Sequence, residues 1–241
     1  MFKTLSLRAE GGVATVTLER PEARNALNLE MCEELLAAVG AIAADASVRV
    51  AFLRGAGPVF CAGADLKERT GKPQEWVRAR RVKAFEVYGA IEALPMPVIA
   101  LVHGPVLGAG IELSSVCDFI LATPEATFGT PEAVRGTVGA TQRLPRAIGK
   151  RLAKDLMFTG RRLSAAEALA AGFVSRVVEA HLVDETLKEI AKTILAASPL
   201  AMRLAKRCID RGVELDPRGA LEVELEAIDE QLASGSWMGK Q

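Results

Sequence analysis

The chain has 241 residues, with 30 basic and 30 acidic side chains, two histidines and four cysteines. Half of the residues are apolar and a quarter are charged, which excludes a disordered chain. The length suits one domain, or one domain with a helical appendage, around a sizeable core. Zero net charge leaves no electrostatic footprint for nucleic acid or an anionic membrane. Two histidines (His103, His181) and widely spaced cysteines (Cys32, Cys61, Cys117, Cys208) form no metal knuckle. The thiols read as reduced and mostly buried, in a cytoplasmic protein with no signal-peptide core near Met1 and no apolar run long enough to span a bilayer. If the chain is an enzyme, its chemistry rests on carboxylates and backbone.

In chain order, two strands are predicted, Phe2 to Ala9 and Val13 to Glu19, joined by a turn at Glu10-Gly11-Gly12 and ended by Arg20-Pro21. Asn28 is a candidate N-cap for a helix whose Met31, Leu35, Val39 and Ile42 recur at helical spacing. Val48 to Arg54 reads as a buried strand, followed by Gly55-Ala56-Gly57-Pro58 and a small-residue loop, Val59 to Thr70. Gln74 to Leu94 reads as a long amphipathic helix closed by Pro95 and Pro97. A second apolar strand, Pro97 to Val102, leads to a second small-residue loop, Gly104 to Gly110, then a short helix and the strand Cys117 to Ala122. After the segment Phe173 to Val178 the pattern turns helical, over Ala180 to Ala197, Leu200 to Arg211 and Arg218 to Ala233. Alternating strands and helices predict an α/β core, residues 1–180, with a C-terminal helical region, residues 181–241, packed on it or on a neighbouring subunit.

Two loops share one design. Phe60-Cys61-Ala62-Gly63-Ala64-Asp65-Leu66 and Leu107-Gly108-Ala109-Gly110-Ile111-Glu112 each follow a buried strand, consist of small residues and lead toward helix. Small side chains admit a ligand close to the backbone, whose N–H groups can bind an oxyanion, although a Gly-rich turn after a strand is often only a turn. Glu112 stands one helical turn past Ala109, where a carboxylate beside such a site could do acid–base work on a carbonyl compound. Twenty residues later comes Glu132, after a short strand, Ala126 to Phe128. Thr130-Pro131 also fits an N-cap and N1 proline, which would make Glu132 merely a first-turn acid.

Taken together, these motifs resemble the crotonase superfamily, specifically its enoyl-CoA hydratase branch. Arg20-Pro21 with Asn25 to Asn28, Phe60 to Glu68, Pro97 to Ala100, Leu107 to Glu112, Cys117-Asp118, Phe128 to Glu132, Thr141 to Gly149, Phe158-Thr159-Gly160 and Ala168 to Val174 carry the likeness, in order and correctly spaced. The resemblance implies a spiral of ββα units with a C-terminal helical region that makes a trimer or a dimer of trimers. It implies backbone oxyanion donors at Ala64 and Ala109, catalytic acids at Glu112 and Glu132, and a coenzyme A binding stretch over Ala62, Gly63, Ala64, Asp65, Leu66 and Lys67, with Gly108 and Ala109 beside it. It implies an acyl-CoA thioester as substrate, with no other cofactor and no metal. Isomerases of the superfamily usually keep only the second acid, so retention of both favours hydration of trans-2-enoyl-CoA. An isomerase, a hydrolase or lyase, and a non-catalytic acyl-CoA-binding protein remain the alternatives.

Three departures stand out against the family pattern. Ala109 replaces the middle of three glycines, which adds a methyl, keeps the N–H and is expected to tighten the acyl pocket. Only Gly139-Ala140 separate Val138 from Thr141-Gln142-Arg143-Leu144, so about three residues of a loop that helps to hold the catalytic water are missing. The C-terminus lacks the usual basic-aromatic ending; Trp237 and Lys240 could stand in for it, against a frayed tail. Arg24 is a second-rank candidate for a CoA phosphate, equally readable as an exposed loop arginine. Arg78, Arg80 and Arg81 read as a solvated helix face, Tyr88 as a packing residue and His103 as a turn residue.

Overall fold

A computed structural model describes residues 2–235. Trp237 and Lys240 therefore lie outside the described residues. Strands β1 (Leu5–Glu10) and β2 (Val13–Leu18) form an antiparallel hairpin closed by Gly11 and Gly12, both at positive φ, the geometry that favours glycine in two-residue hairpin turns. Helix α1 (Leu29–Ala44) starts where expected: the Asn28 side chain accepts from the Met31 N–H at 2.9 Å, and Met31, Leu35, Val39 and Ile42 are buried. Strand β3 (Val50–Gly55), helix α2 (Gln74–Glu92) and strand β4 (Val98–Val102) follow the predicted order.

The next part of the chain is more finely divided than its sequence pattern suggests. The loop after β4 contains a strand, β5 (Pro105–Leu107), which runs into helix α3 (Ala109–Ser115). Strands β6 (Phe119–Ala122) and β7 (Thr127–Gly129) are followed by a 3-10 turn at Ala133–Arg135, with no α-helix there. Thr130 therefore caps nothing, and Glu132 is not the first-turn acid of a helix. Helices α4 (Arg143–Ile148) and α5 (Lys150–Thr159), strand β8 (Leu163–Ser164), helix α6 (Ala165–Ala170) and strand β9 (Arg176–Val177) complete the core. Helices α7 (Val183–Ala196), α8 (Pro199–Gly212) and α9 (Pro217–Ala233) follow. Among the described residues, no helix is long and apolar enough to cross a membrane.

The strands form a six-stranded sheet of order β1-β2-β3-β4-β6-β9, parallel from β2 onward, and a small sheet of order β5-β7-β8. Strands β3, β4 and β6 bury both faces. Val50, Phe52, Ile99, Leu101 and Leu121 pack under Val183, Ile190, Ala191 and Ile194 of α7, while Ala51, Leu53, Val98, Ala100 and Val102 face the larger core with α1, α2 and α3. Each turn passes from the large sheet to the small one and then to helix. β4 leads to β5 and α3, β6 leads to β7 and on to α4, and β3 leads to Cys61, which bridges Val106 in parallel, and on to α2. This is the expected α/β spiral of ββα units. It stacks the segments that follow Cys61, Leu107 and Gly129 side by side.

Candidate active site

Backbone bonds lock those three segments together. The Leu107 N–H donates to the Cys61 carbonyl at 3.1 Å, and the Gly108 N–H to the Gly129 carbonyl at 3.0 Å. Leu27 clamps the first loop from the other side, donating to the Gly63 carbonyl and accepting from the Asp65 N–H. Side chains must be small for these approaches. A Cβ on Gly110 would run into the Cys61 carbonyl, and one on Gly108, at φ +50°, would fall on the Glu132 carboxylate.

A cavity of about 200 Å³ opens at this seam. Of the residues singled out from sequence, Ala62, Gly63, Ala64, Leu66, Gly108, Ala109, Glu112 and Glu132 all line it. Neither the Ala64 N–H nor the Ala109 N–H is committed to an acceptor among the described residues. Ala109 opens α3 in right-handed conformation, so the methyl that replaces a hydrogen there costs no backbone strain.

The two carboxyls are both pushed above the ordinary carboxylate range by burial. For Glu112 the Arg143 guanidinium opposes the shift and the Glu132 charge adds to it; for Glu132 its own N–H, Arg135 and Arg81 oppose it. Glu132 Oε2 is buried without a hydrogen-bond partner among the described residues. The loop before Thr141 forms part of the wall, with Val138 and Gly139 lining the cavity and Gly139 close against the Glu132 side chain. Ala140, buried at φ +53°, makes a tight turn just before Thr141.

Asp65, Lys67 and Arg24 stand apart from the cavity's main wall. The Asp65 carboxylate is spent on the fold: it meets Arg20 Nη2 at 3.0 Å and accepts from the Lys67 and Glu68 N–H groups. Burial pushes its pKa up, but the Arg20 hydrogen bond and these amides hold it net below the usual range. Lys67 is exposed, and Arg24, at φ +53°, offers the first loop its carbonyl, which accepts from the Ala62 N–H. His103 is a turn residue as expected, with Nε2 at 2.8 Å from the Gly57 carbonyl. Cys32 and Cys61 are buried thiols with pKa pushed up to about 11 by burial. Among the described residues, no three His, Cys, Asp or Glu side chains converge to hold a metal ion.

The largest correction concerns α2. Arg78 is exposed as expected, but Arg80 is buried and Arg81 half-buried, and both line the cavity with Ala84, Phe85 and Tyr88. Arg81 donates to the Val138 carbonyl at 2.6 Å and to Thr137 Oγ1 at 2.8 Å, tying α2 to the short loop. Tyr88 packs as expected, buried, with its hydroxyl 3.5 Å from the Ala109 carbonyl; Arg143 lies over its ring while pairing in bidentate fashion with Glu92. The i, i+1, i+4, i+5, i+8 spacing of these residues puts them on one helix face in the sequence, without saying what that face meets.

The model of the family described as enoyl-CoA hydratase/isomerase matches residues 8–236. The chain therefore belongs to the enoyl-CoA hydratase/isomerase family of the crotonase superfamily. It is 41% identical over 230 residues to a short-chain-enoyl-CoA hydratase of Clostridium acetobutylicum, covering 93% of this chain and 87% of that one. It is 40% identical over 221 residues to the human mitochondrial enoyl-CoA hydratase domain-containing protein 2, covering 88% and 76%. Among solved structures, an enoyl-CoA hydratase from Bacillus anthracis superposes with a TM-score of 0.90 at 41% identity, over 94% of this chain and 90% of that one. One from Mycobacterium smegmatis gives 0.92 at 35% identity, over 95% and 91%.

Proposed function

We propose that the protein hydrates trans-2-enoyl-CoA to 3-hydroxyacyl-CoA. The observation that carries this reading is the meeting of two half-buried carboxyls and two uncommitted amides on the wall of one cavity. In this mechanism the thioester oxygen accepts from the Ala64 and Ala109 N–H groups, and coenzyme A enters as part of the substrate along Ala62, Gly63 and Leu66. Glu112 and Glu132 hold a water; its hydroxyl adds at C3, its proton passes to Glu112, and Glu132 delivers a proton to C2. The enolate-like charge that builds on the thioester oxygen meets donors already in place, each worth roughly 3–4 kcal/mol of barrier. The pair needs one protonated and one ionised member; burial raises both carboxyls, and the Glu132 charge raises Glu112 further, which opposes ionising both together.

The test is hydration of crotonyl-CoA, followed by loss of the enoyl-thioester absorbance. Glu112→Gln and Glu132→Gln are each expected to cut turnover by about two orders of magnitude or more. Near-wild-type hydration by either variant would overturn the assignment. Isomerisation of a 3-enoyl-CoA without any hydration would reassign the site to the isomerase chemistry of the same family. Homo-oligomerisation through α8 and α9 is part of the same reading, and rests on the exposed apolar side chains of those helices.

A further inference from the structure

The mechanism above uses Glu112, Glu132 and two amides, and leaves unexplained why Arg69 and Arg80 line the same cavity, alongside Arg81 and Arg135. Arg80 is the sharpest case. It is 7% exposed, and its Nε and Nη2 have no hydrogen-bond partner among the described residues. Its one ionic neighbour is Glu68, at 3.5 Å, whose Oε1 is already taken by the Leu29 N–H and whose Oε2 makes no hydrogen bond. The Arg69 guanidinium makes no ion pair or hydrogen bond among the described residues. The nearby Asp65 carboxylate offers no relief, since it is committed to Arg20.

A buried guanidinium with unmet N–H groups is costly, and a plain alkyl chain would leave it so. An oxyanion would not. Arg80 stands two helical turns, about 12 Å along the axis of α2, from Tyr88, whose hydroxyl reaches the Ala109 carbonyl beside the oxyanion amides. Between them the helix presents Ala84, the smallest side chain on the stripe, so the wall between the two ends is low and apolar. We infer that Arg80, with Arg69 and Arg81, forms a carboxylate-binding subsite for the far end of the acyl chain, so that the preferred substrate is an enoyl thioester of a dicarboxylic acid. A guanidinium fork matches a carboxylate's two oxygens, and the apolar stretch between accommodates the methylenes.

This inference deepens the hydratase reading and rests on it for the identity of the thioester. The experiment compares hydration of trans-2-pentenedioyl-CoA and trans-2-octenedioyl-CoA with that of the methyl-ended trans-2-hexenoyl-CoA and trans-2-octenoyl-CoA. At least one diacid is expected to exceed its methyl-ended counterpart in kcat/KM by about tenfold or more, the scale of one charge-assisted hydrogen bond. Arg69→Gln, at a partly exposed position where folding is safe, is expected to lower that ratio severalfold. Arg80→Met combined with Glu68→Gln, which removes the buried guanidinium and its half-buried ionic neighbour together, is expected to abolish it. A wild-type preference for the methyl-ended chains, or a ratio untouched by either variant, overturns the proposal. Equal losses on both substrate types, carried in KM, would assign the arginines to the phosphates of coenzyme A instead, and overturn it too. Calorimetric titration with the saturated thioesters glutaryl-CoA and butyryl-CoA separates this inference from the hydratase reading. Arginine-dependent preference for glutaryl-CoA by a protein that hydrates nothing would sustain the subsite and sink the hydratase; hydration without that preference would do the reverse.

Discussion

At the scale of single residues, the site depends on backbone that side chains must not obstruct. Gly108 has φ +50° and ψ −109°, and its carbonyl precedes the Ala109 N–H. Because glycine is achiral, that conformation is the mirror image of polyproline geometry, which is a favourable one before proline. Ala109 itself is the first helical residue of α3, where proline is well tolerated. Ala109→Pro should therefore fold, lose one oxyanion donor and lower kcat by about 10²–10³-fold, whereas Ala109→Gly keeps the N–H and should stay within a few fold of wild type. Equal rates for Ala109→Pro and Ala109→Gly on crotonyl-CoA would remove Ala109 from the mechanism. The two glutamates give a second residue-scale prediction. Burial raises the Glu132 pKa, so the folded state holds its proton over a pH window in which the unfolded chain has already released it. Stability attributable to this group therefore falls as pH rises through that window, and stays low above it. Glu132→Gln should raise the melting temperature at pH 7 by a few degrees, with the gain disappearing below the ordinary glutamate pKa. Thermal denaturation of both proteins across pH 4 to 8 checks this; an unchanged difference at all pH values would show that the carboxyl is not desolvated.

At the scale of elements, the first oxyanion loop is aimed by residues outside it. Asn25, fully buried at φ +52°, donates through Nδ2 to the Ala56 and Val59 carbonyls and accepts from the Arg20 N–H. Arg20 in turn reaches the Ala26 carbonyl and Asp65, which links the end of β2 to the loop that carries Ala64. Asn25→Leu would leave three backbone groups unpaired in the interior and should destabilise the fold by about 3 kcal/mol or more, read from chemical denaturation. A loss under about 1 kcal/mol would mean that water replaces the side chain. How much of this was legible in the sequence depends on element length. Helix α1 announced itself through its cap and four apolar positions, and β3 and β4 through unbroken apolar runs. Strands β5, β8 and β9, of two or three residues each, are too short to show any period, and the small sheet of β5, β7 and β8 is held by backbone bonds that no side-chain pattern records. Glu112 and Glu132 were legible only through the family motifs in which they stand, Leu107 to Glu112 and Phe128 to Glu132. Arg80 and Arg81 were not, because a charged stripe on a helix looks the same whether it meets water or a lined cavity.

At the scale of the whole molecule, the two ends of the C-terminal region behave differently. Helix α7 covers one face of the large sheet with Val183, Ile190, Ala191 and Ile194, so the packed core extends past residue 180. Helices α8 and α9 pack against each other and reach the core through few polar ties, among them the Lys206 to Asp118 pair at 3.0 Å. On α9, Leu221, Leu225, Ile228 and Leu232 recur at intervals of four, three and four residues, and all are exposed, joined by Ile209 on α8 and Val213 just after it. That stripe has the spacing of a helix face built to be covered, and its residues are too large and too many to be scattered surface apolars. On our reading a second copy of the chain covers it, in a trimer or a dimer of trimers. Leu221→Glu combined with Leu225→Glu places two charges in that face without touching the cavity residues. The double variant should sediment as a monomer where the wild type sediments as a trimer or hexamer, and keep its circular dichroism because both side chains are solvent-exposed within the protomer. A wild type that sediments as a monomer at micromolar concentration would refute the assembly. A variant that stays oligomeric would move the interface away from α9. If the monomeric variant still hydrates crotonyl-CoA, the site is complete within one chain; loss of hydration with the fold intact would mean that a neighbouring subunit completes it.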